Sequence, residues 1–287
     1  MNILELRSQY HQEICEQILR FSKDEKKGVI FSNLADVGNS TSILVSVHLA
    51  EKLGCEKTFE KIQVQTIGEK FESITKSFIE KSFCLLGHIR PGKWIYSTIQ
   101  TSITLFDQYE HLAYLDDIIK QNKVLSSAIG GNYLVKPDII VARVPLSDQE
   151  INSEKEIVRS DNLAKYTPLR IRNNPDSRPI LHASISCKWT IRSDRSQNTR
   201  TEALNLIRNR KGNLPHIMAV TAEPLPTRIA TLALGTGDLD CVYHFALNEL
   251  IESIRETGNE DQIEVLDMMI DGRRLRDISD LPFDLAV

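Results

Sequence analysis

The chain has 287 residues, of which 41% are hydrophobic and 26% are charged, and its formal net charge is −4. This balance is ordinary for a globular protein that can bury a core. No apolar run approaches the ~18 residues that a membrane helix needs, and residues 1–20 carry too many charges for a signal peptide. We therefore expect a cytoplasmic protein with no membrane partner. No break in the pattern divides residues 1–287, so we expect a single domain.

The first well-defined element that the sequence predicts is an amphipathic helix over Thr66–Cys84. Its apolar residues recur at steps of three and four, which is the period of a helix with one buried face. They are Ile67, Phe71, Ile74 and Phe78. Glu72 lies on the same helix.

Three stretches further along the chain predict strands of one sheet. Tyr133–Val144 and Ile180–Ile191 are rich in β-branched residues, and Leu214–Thr221 is an apolar run of strand length. Between the last two, Thr199–Lys211 has the spacing of a helix, so a strand-helix-strand crossover is expected. The polar stretch Asp148–Pro179 predicts a long irregular loop. The expected fold class is α/β, with a central sheet flanked by helices.

The five cysteines are widely scattered, and they include neither a CxxC pair nor a nearby histidine that would suggest zinc. They are Cys15, Cys55, Cys84, Cys187 and Cys241. We interpret them as reduced and mostly buried thiols.

Positive charge is concentrated in residues 170–211. This stretch holds ten Lys and Arg against three Asp and Glu, a charge of +7, which leaves −11 for the rest of the chain. One basic stretch on an acidic body suits a DNA-binding face, because phosphate contacts supply most of the affinity. A solvated charged surface gives the same pattern, so charge alone leaves both interpretations open.

Two predicted strands carry the residues that hydrolysis of a phosphodiester needs. Asp138 is followed by one strand, and Ser186 and Lys188 lie in the next strand and point to the same face. Such chemistry needs a divalent cation on carboxylate oxygens, an activated water and positive charge near phosphorus. A second acid is expected two residues before the lysine, and Ser186 stands there. Glu202 on the following helix can fill the gap, with Glu72 as a further candidate. Taken singly, these residues also fit ordinary structural roles.

The segment after Lys188 is chemically suited to read G·C pairs. Arg192 and Arg195 flank Asp194 between a strand and a helix. An arginine fork matches guanine O6 and N7, and a carboxylate accepts from cytosine N4. The structural alternative is a salt-bridged turn in which Asp194 only caps the helix.

At His182–Ile217 the sequence resembles the NgoMIV restriction endonuclease family, and the resemblance extends over most of the chain. The other matching motifs are HIRPG at His88–Gly92, PDIIV at Pro137–Val141, VTAEP at Val220–Pro224, ALGTG at Ala233–Gly237, DCVYHFAL at Asp240–Leu247 and DISDLP at Asp277–Pro282. The resemblance implies a PD-(D/E)xK nuclease core in which the second acid is displaced to the following helix. It therefore implies a type II restriction endonuclease that depends on Mg²⁺.

The resemblance also implies roles for the catalytic candidates. Asp138 and Glu202 would bind Mg²⁺, with Ser186 and Glu72 in support. Lys188 would either position the attacking water or stabilise charge on the phosphate, and the sequence does not decide between these roles.

On double-stranded DNA, the resemblance assigns base reading to several short segments. Arg192, Asp194 and Arg195 would read a CCGG core, and Gln65, just before the Glu72 helix, would approach the minor groove. Asp36 is the candidate for the outer base pair, which would make the site GCCGGC, cut after the first G to leave four-base 5′ overhangs. The loop around Asp36 departs from the family pattern, so its partner stays open, with Asn39 as one candidate.

Symmetry predicts assembly, because a palindrome is read most simply by a two-fold dimer. The resemblance further implies that the homodimer assembles into a homotetramer, for which apolar residues in Leu112–Leu125 or the last helix are candidates. The alternatives are an endonuclease for another CCGG-containing site, a structure-selective PD-(D/E)xK nuclease and a non-catalytic sequence-specific DNA-binding protein. No phosphate-cradling glycine loop supports an enzyme of small molecules.

Overall fold

The structure is a computed structural model that describes residues 1–25, 28–60, 62–99, 102–129, 134–159, 161, 163–171 and 177–287, with only the backbone of 129 and 193–196. The chain forms two compact units. The first comprises Met1–Arg90, Ile185–Thr201 and Ile217–Val287, and the second comprises Pro91–Ser184 and Glu202–His216. The expectation of one domain over residues 1–287 stays a prediction.

The elements alternate between helices and strands along the chain. The strands are β1 Phe21–Lys23, β2 Ile30–Ser32, β3 Trp94–Ser97, β4 Ile139–Arg143, β5 Ile180–Lys188, β6 His216–Thr221, β7 Cys241–His244 and β8 Leu275–Asp277. The α-helices are α1 Ile3–Gln17, α2 Ser40–Lys52, α3 Val64–Leu85, α4 His111–Gln121, α5 Lys123–Ile129, α6 Asp148–Ile151, α7 Ser193–Asn209, α8 Pro226–Ala233, α9 Leu247–Thr257, α10 Glu260–Asp271 and α11 Leu281–Asp284. Short 3₁₀ turns occupy Ile103–Leu105, Asp107–Tyr109 and Ile278–Asp280.

A six-stranded sheet has the order β3-β4-β5-β6-β7-β8, and β1 and β2 form a separate hairpin. The sheet is mixed, because β3 pairs antiparallel with β4 whereas β6, β7 and β8 are parallel. Helices flank the sheet, so the expected α/β class is confirmed. Among the described residues, no helix is long and apolar enough to cross a membrane.

The core of the first unit is built around α3 and the residue that follows β5. The four apolar residues predicted to face inward on α3 are all buried. The Phe71 ring meets the Trp189 ring edge-on at 5.3 Å, and Trp189 also lies 6.0 Å from the Phe245 ring. Tyr10 of α1 shares a buried hydrogen bond of 3.1 Å with Thr75. This aromatic packing seats α3 against the end of β5, and replacing Trp189 by Ala should cost about 3–5 kcal/mol.

In the second unit, polar side chains hold the strand and helix that carry candidate residues. The side-chain amide of Gln108 donates to the Leu181 carbonyl at 2.7 Å and accepts from the Leu181 amide at 2.9 Å. The Tyr109 hydroxyl donates to the Leu206 carbonyl at 3.0 Å. Gln108 and Tyr109 are almost fully buried, so the start of β5 and the middle of α7 are fixed by satisfied internal hydrogen bonds.

The predicted elements are present, with shifted ends. Helix α3 begins at Val64 and contains the predicted Thr66–Cys84, and the three predicted strands are β4, β5 and β6, neighbours in the sheet. Helix α7 begins at Ser193, earlier than the predicted Thr199, because polar residues at its start hide the apolar period. The predicted loop Asp148–Pro179 begins with a short helix, α6, whose capping box is formed by Ser147 and Glu150.

The prediction that the cysteines are reduced is wrong for two of them. Cys15 of α1 and Cys55, which follows α2, form a disulfide, and Cys84 is exposed. Cys187 and Cys241 are buried thiols, as predicted. The spacing could not reveal the pair, because a separation of 40 residues matches no disulfide or metal motif and the two elements meet only in the fold.

Candidate functional site

The carboxyl ends of four parallel strands lie at one edge of the sheet. The Lys188 carbonyl accepts from the Thr221 hydroxyl at 2.8 Å and from the Ala222 amide at 3.3 Å, so β5 and β6 end side by side. Thr221 is paired with His244 of β7, and His244 with Asp277 of β8. Binding residues in open α/β sheets collect at such an edge.

Lys188 and Ser186 share a face at the end of β5. Both are partly exposed, whereas Cys187 between them is buried, as strand alternation predicts. The Ser186 hydroxyl lies 3.5 Å from the hydroxyl of buried Thr199, so it is tied to the first half of α7. The ring contact between Phe71 and Trp189 involves the immediate sequence neighbours of Glu72 and Lys188. Ser186, Lys188 and Glu72 all belong to the first unit.

The two carboxylates expected to bind metal belong to the second unit. Asp138 directly precedes β4, and Glu202 lies on α7; both are partly exposed. Glu202 lies in the third turn of the helix, so its predicted place one turn in is wrong, because α7 starts earlier than its apolar period suggests. Within the described ranges, no group of three or more His, Cys, Asp or Glu side chains is placed to hold a metal ion.

The segment expected to read the CCGG core joins β5 to α7. Arg192 is exposed, and the preceding Ile191 is buried. Asp194 and Arg195 lie inside the first turn of α7, although the sequence predicted that they would precede the helix. The side chains of Asp194 and Arg195 lie outside the described part of the structure.

The loop after β2 holds Asp36 beside two arginines. Asp36 forms an ion pair with Arg228 of α8 and accepts from the Gly38 amide at 3.0 Å. The Gly38 hydrogen bond, the Arg228 pair and the nearby charge of Arg192 together lower the pKa of Asp36. Asn39 instead accepts from the Ser42 amide at 2.9 Å as the N-cap of α2. Among the described contacts, Asp36 therefore pairs with Arg228 and not with Asn39, while its partner in base reading stays a prediction.

A buried carboxylate lies beneath this group. Glu223 is fully buried after β6, and its two oxygens accept from the Ile191 amide at 2.8 Å and the Leu225 amide at 3.2 Å. Burial raises the pKa of Glu223 to about 7, although the two backbone hydrogen bonds and Arg228 oppose the rise. Its own amide donates to the Thr221 hydroxyl at 3.1 Å.

Gln65 lies on the exposed surface of α3. Its side-chain amide donates to Glu69 at 3.0 Å. The helix begins at Val64, so Gln65 is already part of its first turn and does not precede it. The predicted location just before the helix is wrong by this small shift.

The basic stretch of residues 170–211 is not one continuous DNA-facing surface. Arg170 is buried and donates to Asp148 at 2.5 Å and 2.8 Å. Arg200 donates to the Thr231 carbonyl at 2.9 Å and pairs with Asp238, so it binds the last turn of α8. At least these two arginines have structural partners, and the charge count overstates the surface available to phosphate.

Comparison with known proteins places these residues in a family. The sequence profile described as NgoMIV restriction enzyme matches residues 10–287. The chain belongs to the NgoMIV restriction enzyme family. It is 48% identical over 265 residues to the type II restriction enzyme NgoMIV of Neisseria gonorrhoeae, covering 91% of each chain. As a member of this family, the chain is a type II restriction endonuclease, and the resemblance stated from its motifs is confirmed.

A solved restriction endonuclease PspGI–substrate DNA complex shows a weaker similarity. It is 17% identical with a TM-score of 0.37, and the match covers 99% of this chain and 92% of that one. A similarity this low adds nothing to the argument.

Proposed function

We propose that this restriction endonuclease hydrolyses double-stranded DNA at GCCGGC in a Mg²⁺-dependent reaction, cutting after the first G. Cleavage there leaves four-base 5′ overhangs. The observation that carries the proposal is family membership over residues 10–287. Asp138, Lys188 and Glu202 fall within this matched range.

The proposed metal ligands fit Mg²⁺ by the chemistry of their donors. Mg²⁺ prefers oxygen ligands, keeps several waters and is commonly held by one or two carboxylates. Asp138 and Glu202 are partly exposed carboxylates of one unit, which leaves water access to both. A bound Mg²⁺ would supply positive charge near the phosphate and lower the pKa of a bound water.

The remaining catalytic candidates act from the end of β5. Lys188 would bring an ammonium to the scissile phosphate, where it positions the attacking water or offsets charge on phosphorus. Ser186, held by Thr199, and Glu72, on the helix packed against Trp189, would support this arrangement. A lysine that positions water should give a pH-rate profile that its replacement shifts, whereas a purely electrostatic lysine should not.

Base reading involves several segments of the chain in this proposal. Arg192, Asp194 and Arg195 read the CCGG core, and Gln65 approaches the minor groove. Asp36 reads the outer pair together with Arg228, since a carboxylate suits cytosine N4 and a guanidinium suits guanine O6 and N7. The support is that Asp36 and Arg228 are paired and that Arg192 lies close enough to lower the pKa of Asp36.

The proposed assembly is a homodimer on DNA that pairs into a homotetramer. Helices α4 and α5 carry a set of exposed large apolar side chains that suits a protein interface. They are Tyr114, Leu115, Ile118, Val124 and Leu125. Leu112 and Ile119 on the same stretch are buried and belong to the core. Action within the cytoplasm is part of the same proposal.

A panel of short duplexes tests the proposed site. The duplexes carry GCCGGC, ACCGGT or CCCGGG, or a disrupted core, each with Mg²⁺ or with EDTA. Cutting of GCCGGC alone, and only with Mg²⁺, supports the proposed recognition site and the metal dependence. Cutting of another CCGG duplex keeps the catalytic residues and rejects the outer-pair assignment. Specific binding without any cutting favours the non-catalytic alternative.

A further inference from the structure

We propose that Glu223 is a positioning residue that fixes the Arg192 segment and the start of α8 relative to each other, so that the inner and outer base pairs are read together. The inference rests on the proposed function, in which Arg192 reads the core and Arg228 reads the outer pair with Asp36. It goes beyond that function by assigning the coupling of the two segments to one buried side chain.

The carboxylate of Glu223 divides its two oxygens between the two segments. Oε2 accepts from the Ile191 amide at 2.8 Å, and Oε1 accepts from the Leu225 amide at 3.2 Å. Ile191 directly precedes Arg192, and Leu225 directly precedes α8, which carries Arg228 in its first turn. One side chain thus joins the two strand-to-helix junctions, β5 to α7 and β6 to α8.

Among the described contacts, the junction before α8 has no side-chain cap that could replace this carboxylate. Leu225 is the N-cap residue of α8 and gives no side-chain cap hydrogen bond, and Pro226 follows without an amide hydrogen. The backbone of Glu223 is itself held, because its amide donates to Thr221, whose hydroxyl donates to the Lys188 carbonyl. The positioning residue is therefore anchored to the end of β5.

A carboxylate is required because both oxygens accept. Glutamine of the same shape has a single acceptor oxygen, and its amide nitrogen would face one of the two backbone N–H groups. Replacing Glu223 by Gln should therefore break the bridge between the two junctions while keeping the volume of the side chain, so the two segments lose their fixed relative position and both pairs are read less well. An unsatisfied buried N–H and a displaced segment follow from this change.

Two nearby charges change the pKa of Glu223 in opposite directions, in addition to the effect of burial. Arg228 from α8 favours the carboxylate, and Asp36 from the loop before α2 disfavours it. His244, at the end of β7, is fully buried with its pKa lowered to about 4, so it is neutral above that pH. Glu223 has its pKa raised to about 7 by burial, so it is the member of this group that changes charge near neutral pH. Protonation turns one accepting oxygen into a hydroxyl and weakens one of the two anchors.

The direct test compares Glu223→Gln with a matched control. Glu249→Gln is the control, because Glu249 is a largely buried carboxylate of the same unit that binds Arg7 at 2.8 Å and 2.7 Å instead of the two junctions. Competition binding without metal is measured on the duplex that wild type selects, on duplexes substituted at the outer or inner pair, and on random DNA. The protein used is the full chain at pH 8.

Glu223→Gln should lower the preference for the selected duplex about ten-fold or more at both the outer and the inner pair. Binding to random DNA should not change, and Glu249→Gln should keep the wild-type ratios. Wild-type ratios in Glu223→Gln, or loss at one pair only, overturn the coupling while leaving the proposed function intact. Failure of the wild type to prefer any duplex overturns the proposed function first and this inference with it.

A second measurement uses the wild type alone and does not depend on the folding of a variant. In heteronuclear NMR spectra between pH 5.5 and 8.5, the amide resonances of Ile191 and Leu225 should shift with one common midpoint near 7. Movement of only one resonance, or two different midpoints, contradicts a single bridging carboxylate.

Discussion

Arg228 forms an ion pair with Asp36, joining the first turn of α8 to the loop between β2 and α2. The partners are separated by 192 residues in sequence, and Asp36 also lies within reach of the charge of Arg192. An acid and an arginine that pair with each other without DNA can exchange that contact for the two edges of one G·C pair. The ion pair therefore keeps both groups in place before DNA binds.

Replacing Arg228 by Ala should relax discrimination at the outer base pair. Loss of a bidentate guanine contact costs about 1–3 kcal/mol of discrimination, while selectivity for the CCGG core should be retained. The measurement is cleavage of GCCGGC against ACCGGT and CCCGGG duplexes. Asn39→Ala is the control, because Asn39 caps α2 and its loss should cost ~1 kcal/mol of stability without altering specificity. Relaxed specificity in Asn39→Ala instead would show that Asn39 is the reader.

Replacing Lys188 or Asp138 by Ala should separate cutting from binding. We expect the cleavage rate to fall on the order of a thousand-fold or more, because a charged group at the reacting phosphate is removed. Affinity for the specific duplex should change little. Single-turnover cleavage and a filter-binding assay measure the two quantities. Lys57→Ala, which breaks an exposed ion pair with Glu51, serves as the control and should alter neither. Equal losses of cutting and binding would contradict the assigned roles.

Glu223 should make the stability of the protein depend on pH in an unusual direction. Its pKa is raised from 4.5 to about 7, so the native state binds a proton between these values that the unfolded chain has released. The wild type should therefore lose unfolding free energy as pH rises through this window.

Glu223→Gln lacks this dependence. Relative to wild type, the variant should gain on the order of 3 kcal/mol of unfolding free energy between pH 5 and pH 8. Urea unfolding at several pH values measures the difference. Relative to wild type, the variant should thus be more stable at pH 8 than at pH 5, although it loses sequence discrimination at pH 8. A carboxylate with only a structural role would not show this combination. A difference that is constant with pH would contradict the raised pKa.

Helices α4 and α5 should form the tetramer contact if the proposed assembly is correct. Adding a charge in Tyr114→Lys together with Ile118→Lys should convert tetramers to dimers, because a charge in an apolar contact is costly to bury. Light scattering during size-exclusion chromatography gives the mass. Tyr166→Lys, on another exposed side chain of the second unit, is the control and should leave the mass unchanged. An unchanged mass in the double variant would place the contact elsewhere.

The sequence predicts the sheet and α3 well, because their apolar periods are long and regular. Local patterning predicts that Ile67, Phe71 and the central residues of the three strands are buried, and the structure confirms this prediction. The start of α7 was misplaced because its first turn is polar, so no apolar period marks it. Spacing suggests Asp138, Lys188 and Glu202 as catalytic candidates and the family motifs favour them as a set, which stays a prediction.

Three features could not be predicted because they depend on contacts between distant residues. The Cys15–Cys55 disulfide and the Asp36–Arg228 pair join elements that no local motif relates. Glu223 stands in the quoted VTAEP motif, yet its role appears only when its two acceptor distances are known. The count of basic residues also does not reveal what each of them contacts. Arg170 and Arg200 donate hydrogen bonds to other residues of the protein.

Mapping the ends of a digested, sequenced plasmid tests the central claim most directly. Purified protein is incubated with the plasmid in Mg²⁺, with EDTA as the control, and the cut ends are sequenced. The account predicts cuts at every GCCGGC, between the first G and the following C, and none with EDTA. Cuts that follow no common CCGG core, or cutting that persists in EDTA, would contradict it.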